Sequence, residues 1–256
     1  MITIGIKTFC RPDTLKDSLS ILFEGNEEKY PVIIADDSLD KYKEQNLKII
    51  NNFKEKFSAD IKVIDMPFDS GLSKGRNEIV ENCETQYIMI MDDSRTFSSE
   101  LPVANMINFL EENEDYHLFF GVINSRPGKH RKYAGIFDEV SDDDVVRIKL
   151  AEPRIIKHLV TGGELFENLE ETNIGVNVFV ARTECLKKVK WNNELKVGEH
   201  ELFFYNFFKA GYKCVISEDC NFMQVQKGYP EGLKAYRNRC EIGGELDRLK
   251  RIILQW

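Results

Sequence analysis

Four short stretches carry residues that could do chemistry. Residues 86–97 read QYIMIMDDSRTF, an apolar run ending on two carboxylates; residues 87–91 are too few for a helix and suit a fully buried strand of a parallel sheet. Asp92 and Asp93 then fall at the carboxyl end of that strand. Residues 32–35 run in the same way into Asp36, Asp37 and Ser38. Open α/β sheets bind ligands at this edge, so two strands delivering acidic pairs to it describe a polar cleft for a cation or a nucleotide. Asp and Ser are also turn formers and helix caps, and either pair alone reads equally well that way. The third stretch, residues 69–77, sets Lys74 and Arg76 beside Gly71 and Gly75 near a helix start, which suits a phosphate by charge and by exposed N–H groups. It lacks the GxxxxGK[ST] spacing of a P-loop. The fourth, residues 197–204, clusters Glu199, His200 and Glu201 at the N-terminus of a helix. The helix dipole favours acids there in any case. Chemically, the cluster offers a general base, since a hydroxyl attacking carbon needs a positioned acceptor for its proton. Glu201 is the first candidate and Glu199 the second, with His200 orienting a carboxylate or contacting a phosphate. Cys10 follows the first strand without a nearby His and reads as a packing residue.

The elements that must position these groups follow from periodicity and turn chemistry. Residues 2–9 alternate β-branched positions as a strand, and Arg11-Pro12-Asp13 opens a helix with Leu15, Leu19, Leu22 and Phe23 at helical spacing. Residues 31–35 form the second strand, residues 41–57 a helix with Leu47, Ile50 and Phe53 as its stripe, and residues 61–66 a third strand. The glycine-bearing loop at 69–77 leads into a helix and then to the central strand. This β-α-β-α-β-α-β series with short links predicts an α/β fold with a mostly parallel, doubly wound sheet. Residues 101–113 read as a helix and 117–124 as a strand; residues 125–148 then break into basic and acidic pieces, the acidic run reading as a solvated turn. A strand at 177–181, helices at 183–189 and 201–210, and a strand at 212–217 follow. The basic, amphipathic tail at 233–256 reads as helical after Gly244.

Composition narrows the class. The chain has 256 residues, 42% of them hydrophobic, with 17 Phe and 9 Tyr, enough for a sizeable core. A net charge of -8 argues against a nucleic-acid surface. Six scattered cysteines without a CxxC pair signal neither zinc nor a disulfide framework. The N-terminus lacks the order of a signal peptide and no window approaches a membrane span, so the expected location is cytoplasmic. The basic tail could rest on the inner face of an anionic membrane, although packing on the domain is the simpler expectation.

Taken in order, TIGIKTFCRPDTLKDSL (3–19), VIIADDS (32–38), MPFDSGLSKGRN (66–77), YIMIMDDSRTF (87–97), NVFVART (177–183) and GEHELFF (198–204) resemble a GT-A glycosyltransferase of the family-2 type. Within that group they are most similar to the β-1,4-N-acetylgalactosaminyltransferases. The resemblance implies one GT-A domain, with a nucleotide-binding half at 1–98, a donor-sugar and acceptor half at 99–222, and a tail at 223–256. It implies that Thr8 and Arg11 line the nucleotide pocket, that Asp36 or Asp37 meets the uracil, and that Arg76 helps hold the nucleoside diphosphate; Gly71 and Lys74 are nucleotide-binding candidates from the same loop. Asp92 and Asp93 stand at the family's DxD motif, Asp92 toward the ribose and Asp93 toward Mn2+ or Mg2+, and Glu199 or Glu201 stands at the inverting base. The implied reaction moves a hexose or N-acetylhexosamine from a UDP-sugar to a glycan or lipid-linked glycan acceptor, in bacterial-type surface polysaccharide or glycolipid synthesis. The chain departs from the family in having Ser94 in place of the third acid. A hydroxyl is a poorer ligand for a hard cation, so the metal could be replaced by cations such as Arg95, Lys227, Arg237 or Arg239. A sugar-nucleotidyltransferase would want a glycine-rich loop after the first strand, which KTFCRPD lacks. A non-catalytic nucleotide or glycan-binding module is the remaining alternative.

Overall fold

The computed structural model describes the whole chain except residues 25–28, 98–102, 127–128, 143–144, 157–158, 162–163, 167–168, 225–229, 231, 234–235, 237–251 and 256. Its first half alternates strictly: β1 (Ile2–Thr8), α1 (Pro12–Glu24), β2 (Val32–Asp36), α2 (Asp40–Phe57), β3 (Ile61–Asp65), α3 (Leu72–Glu81) and β4 (Tyr87–Asp92). Strands β3, β2, β1 and β4 lie side by side and parallel, with Thr8 paired to Asp36 and Lys7 to Asp92. That register brings both acidic pairs to the same edge.

The second half adds β5 (Arg95–Phe97), α4 (Val103–Glu112), β6 (Tyr116–Arg126), β7 (Lys129–Arg131), β8 (Ile136–Asp142), β9 (Val145–Ala151), β10 (Arg154–Ile155), β11 (Leu159–Thr161), β12 (Glu164–Phe166), β13 (Leu169–Thr172), β14 (Val178–Arg182), α5 (Thr183–Lys188), α6 (His200–Lys209), β15 (Lys213–Gln224) and β16 (Ile252–Gln255). The central sheet runs β10-β13-β15-β6-β14-β4-β1-β2-β3, and β14 enters beside β4 in the antiparallel sense. It is a mixed sheet with a parallel nucleus.

Strand alternation splits the core into two layers. Ile2, Ile4, Ile6, Val32, Ile34, Tyr87 and Met89 pack toward α1, α2 and α4, whereas Ile33, Ala35, Ile88 and Ile90 pack toward α3, α5 and α6. On the second face α3 comes so close that a Cβ on Gly5 would stand 2.4 Å from Ile79 Cγ2. The stripe expected on α2 holds at Ile50 and Phe53 but not at Leu47, which is 45% exposed; Asn46 takes the inward place and donates to Asp36 Oδ2 at 2.7 Å.

Two expectations are corrected. The acidic stretch read as a solvated turn lies largely in β8 and β9, an antiparallel pair with Ile136 opposite Ala151 and Asp142 opposite Val145. Val140, Val145, Val146 and Ile148 suit a pleated backbone, and ladder pairing decides the conformation where composition points to a loop. In the tail, residues 252–255 form β16, parallel to β9, rather than a helix. The rest of the expected helix, with Arg248, Lys250 and Arg251, lies outside the described residues, as do Lys227, Lys234, Arg237 and Arg239.

Helix α6 is anchored by an aromatic cluster. Phe204 is fully buried and its ring centroid lies 5.0 Å from Phe120, 5.0 Å from Phe203 and 5.9 Å from Phe179. Phe204→Ala is expected to cost about 3–5 kcal/mol, the usual loss for a buried aromatic. Urea denaturation should show it as a lower midpoint at unchanged slope.

Candidate active site

A cleft of about 610 Å³ opens over the carboxyl edge of the parallel strands. Its floor comes from the ends of β1 and β4, and one wall from the loop that leads into α6. That loop is fastened to α3. Asn77 donates to Trp191 O at 2.8 Å and accepts from Trp191 N at 3.0 Å, Ser73 donates to Leu195 O at 2.6 Å, and Leu72 N donates to Lys196 O at 2.8 Å. Gly71, at φ +94°, makes the approach possible, since a Cβ there would stand 2.6 Å from the Cα of Lys196.

The acids divide into two kinds. Asp36 is buried and consumed by the fold: Oδ1 accepts from Ser38 N at 2.9 Å and Oδ2 from Asn46, and it does not line the cleft. Asp37 does line it, ion-paired with the buried Lys7 and accepting from Gly71 N at 2.8 Å. At the end of β4, Asp93 has no exposure at all; Arg11 pairs with Oδ1 and the Thr8 hydroxyl donates to Oδ2 at 2.8 Å. Burial pushes the Asp93 carboxyl upward against the pull of Arg11 and Thr8. Asp92 keeps 21% exposure and faces the cleft, bonded through Oδ1 to Arg76 Nη2 at 2.9 Å. Burial would push Asp92 up, but Arg76, Arg95 and Arg11 together hold it below the usual carboxylate range.

Arg76 is wholly buried and joins the two halves of the site, because its other terminal nitrogen pairs with Glu199, itself 3% exposed. Burial would lower the guanidinium pKa, but Glu199 and Asp92 leave it raised. Glu199 is therefore the counterion of Arg76. Glu201, one residue into α6, is half-buried and lines the cleft. Between them His200 Nδ1 lies 2.8 Å from Asn177 Oδ1, with Tyr133 and Phe204 at centroid distances of 5.6 and 4.9 Å.

Thr8, Arg11, Asp37, Gly71, Arg76, Asp92, Glu199, His200 and Glu201 thus converge on the cleft, as does Ser94, while Asp36, Asp93 and Lys74 do not line it. The structure adds Lys7, Phe9, Tyr133, Asn177, Lys196 and Tyr236. Lys7 had a signal, a lone charge inside an apolar strand. Asn177 opens the NVFVART stretch, whereas Tyr133 and Tyr236 had no signal, since each arrives from a separate part of the chain.

The residues at the expected metal position do not fit a divalent cation. Both oxygens of Asp93 are taken, one oxygen of Asp92 is bound to Arg76, and position 94 supplies a hydroxyl. Hard cations of this kind want several oxygen ligands with uncompensated charge. Among the described residues no group of three or more His, Cys, Asp or Glu is placed to hold a metal ion. In this structure the Asp93 carboxylate is the buried partner of Arg11.

A mixed α/β sheet with a cleft at the carboxyl ends of its parallel strands, closed by a loop from the second half, is the GT-A glycosyltransferase fold. The chain belongs to glycosyl transferase family 2, which residues 3–168 match. It is similar to the beta-1,4 N-acetylgalactosaminyltransferase 2 of Mus musculus, at 27% identity over 207 residues, covering 80% of this chain and 35% of that protein. The structure resembles S. aureus TarS 1–349 in complex with UDP-GlcNAc, with TM-score 0.60 and 14% identity over 89% of this chain and 60% of that one. It also resembles GalNAc-T7 with UDP, GalNAc and Mn2+, with TM-score 0.63 and 12% identity over 89% of this chain and 44% of that one. The chain spans about a third of the length of the curated relatives it matches. Among the described residues no helix is long and apolar enough to cross a membrane.

The environment of His200 yields a pH dependence. Burial depresses its pKa to about 4, outweighing the opposing pull of Glu201; Arg76 adds to the depression, and a backbone hydrogen bond at Gly175 and Asp92 oppose it. The imidazole is neutral in the folded chain, whereas an unfolded histidine takes up a proton near pH 6.5. Stability is therefore full above about pH 6.5 and falls as the pH drops toward 4, by up to about 3 kcal/mol, because the unfolded state binds the extra proton. Urea midpoints across that window should fall more steeply for the native chain than for His200→Gln.

Proposed function

We propose that this chain is an inverting glycosyltransferase that moves a hexose or N-acetylhexosamine from a UDP-sugar to a glycan hydroxyl. Residues 1–98 hold the nucleotide and residues 99–222 the donor sugar and acceptor. The observation that carries the reading is the unequal placement of the two glutamates across the cleft from Asp92. Glu199 is locked as the counterion of Arg76, and Glu201 lines the cleft one residue further on. The family membership and the UDP-sugar named in the solved relative support the donor class.

In this reading the uridine lies along the ends of β1 and β2, near Thr8 and Asp37, beside the aromatic group formed by Phe9, Phe68 and Tyr236. Phe9 and Phe68 stack at 5.7 Å, and Tyr236 meets Phe68 edge-on at 5.5 Å. Aromatic faces of this kind suit a planar base. Asp92 accepts from the ribose. Glu201 takes the proton of the acceptor hydroxyl as that oxygen forms its bond to the anomeric carbon. The old bond from that carbon to the phosphate oxygen breaks, its electron pair leaves with UDP, and attack from the opposite face gives a β-linkage. Protonated Glu201 then releases its proton to solvent. Neutral His200, held by Asn177, stands next to the base without adding a competing charge.

The two glutamates are separated by mutation. Glu201→Gln should bind UDP with the native dissociation constant while kcat for transfer falls by about 10²–10⁴, the usual worth of a general base. Glu199→Gln should instead weaken UDP binding and lower the melting temperature, because it leaves Arg76 short of a partner. Unchanged kcat in Glu201→Gln would remove that residue from the mechanism.

A further inference from the structure

The mismatch at the metal position has a constructive side. Four acids at this edge of the cleft are already matched by cations: Asp37 by Lys7, Asp93 by Arg11, and Asp92 and Glu199 by Arg76. A divalent cation entering here would meet carboxylates whose charge is already shared with these partners. An arriving diphosphate faces the reverse situation. Arg95 lines the cleft directly after Ser94, and Lys196 lines the opposite rim, where it holds Asp69 at 2.9 Å. Arg76 lies behind Asp92, and its buried Nε has no partner among the described residues. Guanidinium groups present several N–H donors in a fixed fork and bind phosphate oxygens bidentately.

We propose that this cleft holds the diphosphate of its donor with cationic side chains, Arg95 and Lys196 from the two rims backed by Arg76, and that nucleotide binding needs no divalent metal. The inference rests on the UDP-sugar reading above. When the sugar's anomeric carbon parts from the phosphate oxygen, the electron pair stays on UDP, and these positive groups stabilise the charge that develops there. Arg76 is held in place beforehand by Asp92 and Glu199, and Lys196 by Asp69, so little reorganisation of these two is required as the bond breaks.

Isothermal titration of the unmodified chain with UDP, once in EDTA and once in manganese, tests this without any variant. The expected result is binding in EDTA with a dissociation constant within about threefold of that in manganese. Arg95→Ala should weaken UDP by about tenfold or more in both buffers, with Arg95→Lys recovering part of the loss and a native thermal melt showing that the fold is retained. Binding seen only with manganese would overturn the metal-free site while leaving the UDP-sugar function standing. Absence of UDP binding in both buffers would overturn the donor reading and this inference with it.

Discussion

The guanidinium of Arg76 is the tie on which the site depends. It is wholly buried, and a buried charge without partners costs several kcal/mol. Here two carboxylates meet it, one from the end of β4 and one from the residue just before α6. Its cationic carbon lies 5.9 Å from the Trp191 ring, which in turn stacks on Phe203 at 3.9 Å with the planes 8° apart. These rings screen the pair from water on one side, and a lower local dielectric strengthens the attraction. The consequence is geometric. The strand that ends in Asp92 and the helix that begins with His200 cannot drift apart without exposing an unpaired charge, so Glu201 is held across the cleft from the sheet edge.

The same logic recurs in Lys7 with Asp37 and Arg11 with Asp93, and it resolves the ambiguity of the acidic pairs. Each pair contains one residue that serves the fold and one that faces the cleft. Asp36 satisfies Ser38 N and Asn46 while Asp37 meets Lys7 and the backbone of Gly71. Asp93 turns inward to Arg11 while Asp92 faces outward. Successive residues of an extended chain point to opposite sides, so a pair placed at a strand end supplies one side chain to each role. One residue of each pair is thus used by the fold and its neighbour faces the cleft.

How much of this was legible follows from what is local. The β-α-β series, its short links and the acidic strand ends rest on periodicity and turn chemistry within a dozen residues, and they hold. The strands β8, β9 and β16 rest on pairing between segments far apart, which local composition does not encode. On α2 the choice between Leu47 and Asn46 for the inward place was decided by Asp36, a partner ten residues upstream in another element. The cleft walls show the same limit. Asn177 and Lys196 reach the cleft because β14 enters beside β4 and because the loop before α6 is fastened to α3, while Tyr133 and Tyr236 come from two further segments. Ser94 was legible as a departure. What it meant was not, since that required knowing that Asp93 is already occupied.

This economy of charge links stability to chemistry in a definite way. An active site assembled from unpaired acids would be strained by repulsion until a cation arrived, and the fold would bear that cost throughout. Here Asp37, Asp92, Asp93 and Glu199 are matched by Lys7, Arg76 and Arg11, so these charges do not rely on a ligand for their balance. The same pairings leave spare donors, because a guanidinium has more N–H groups than one carboxylate can accept. On the proposed reading, the leaving diphosphate is received by side chains that already have their positions, and the carboxylates act as the braces that aim them.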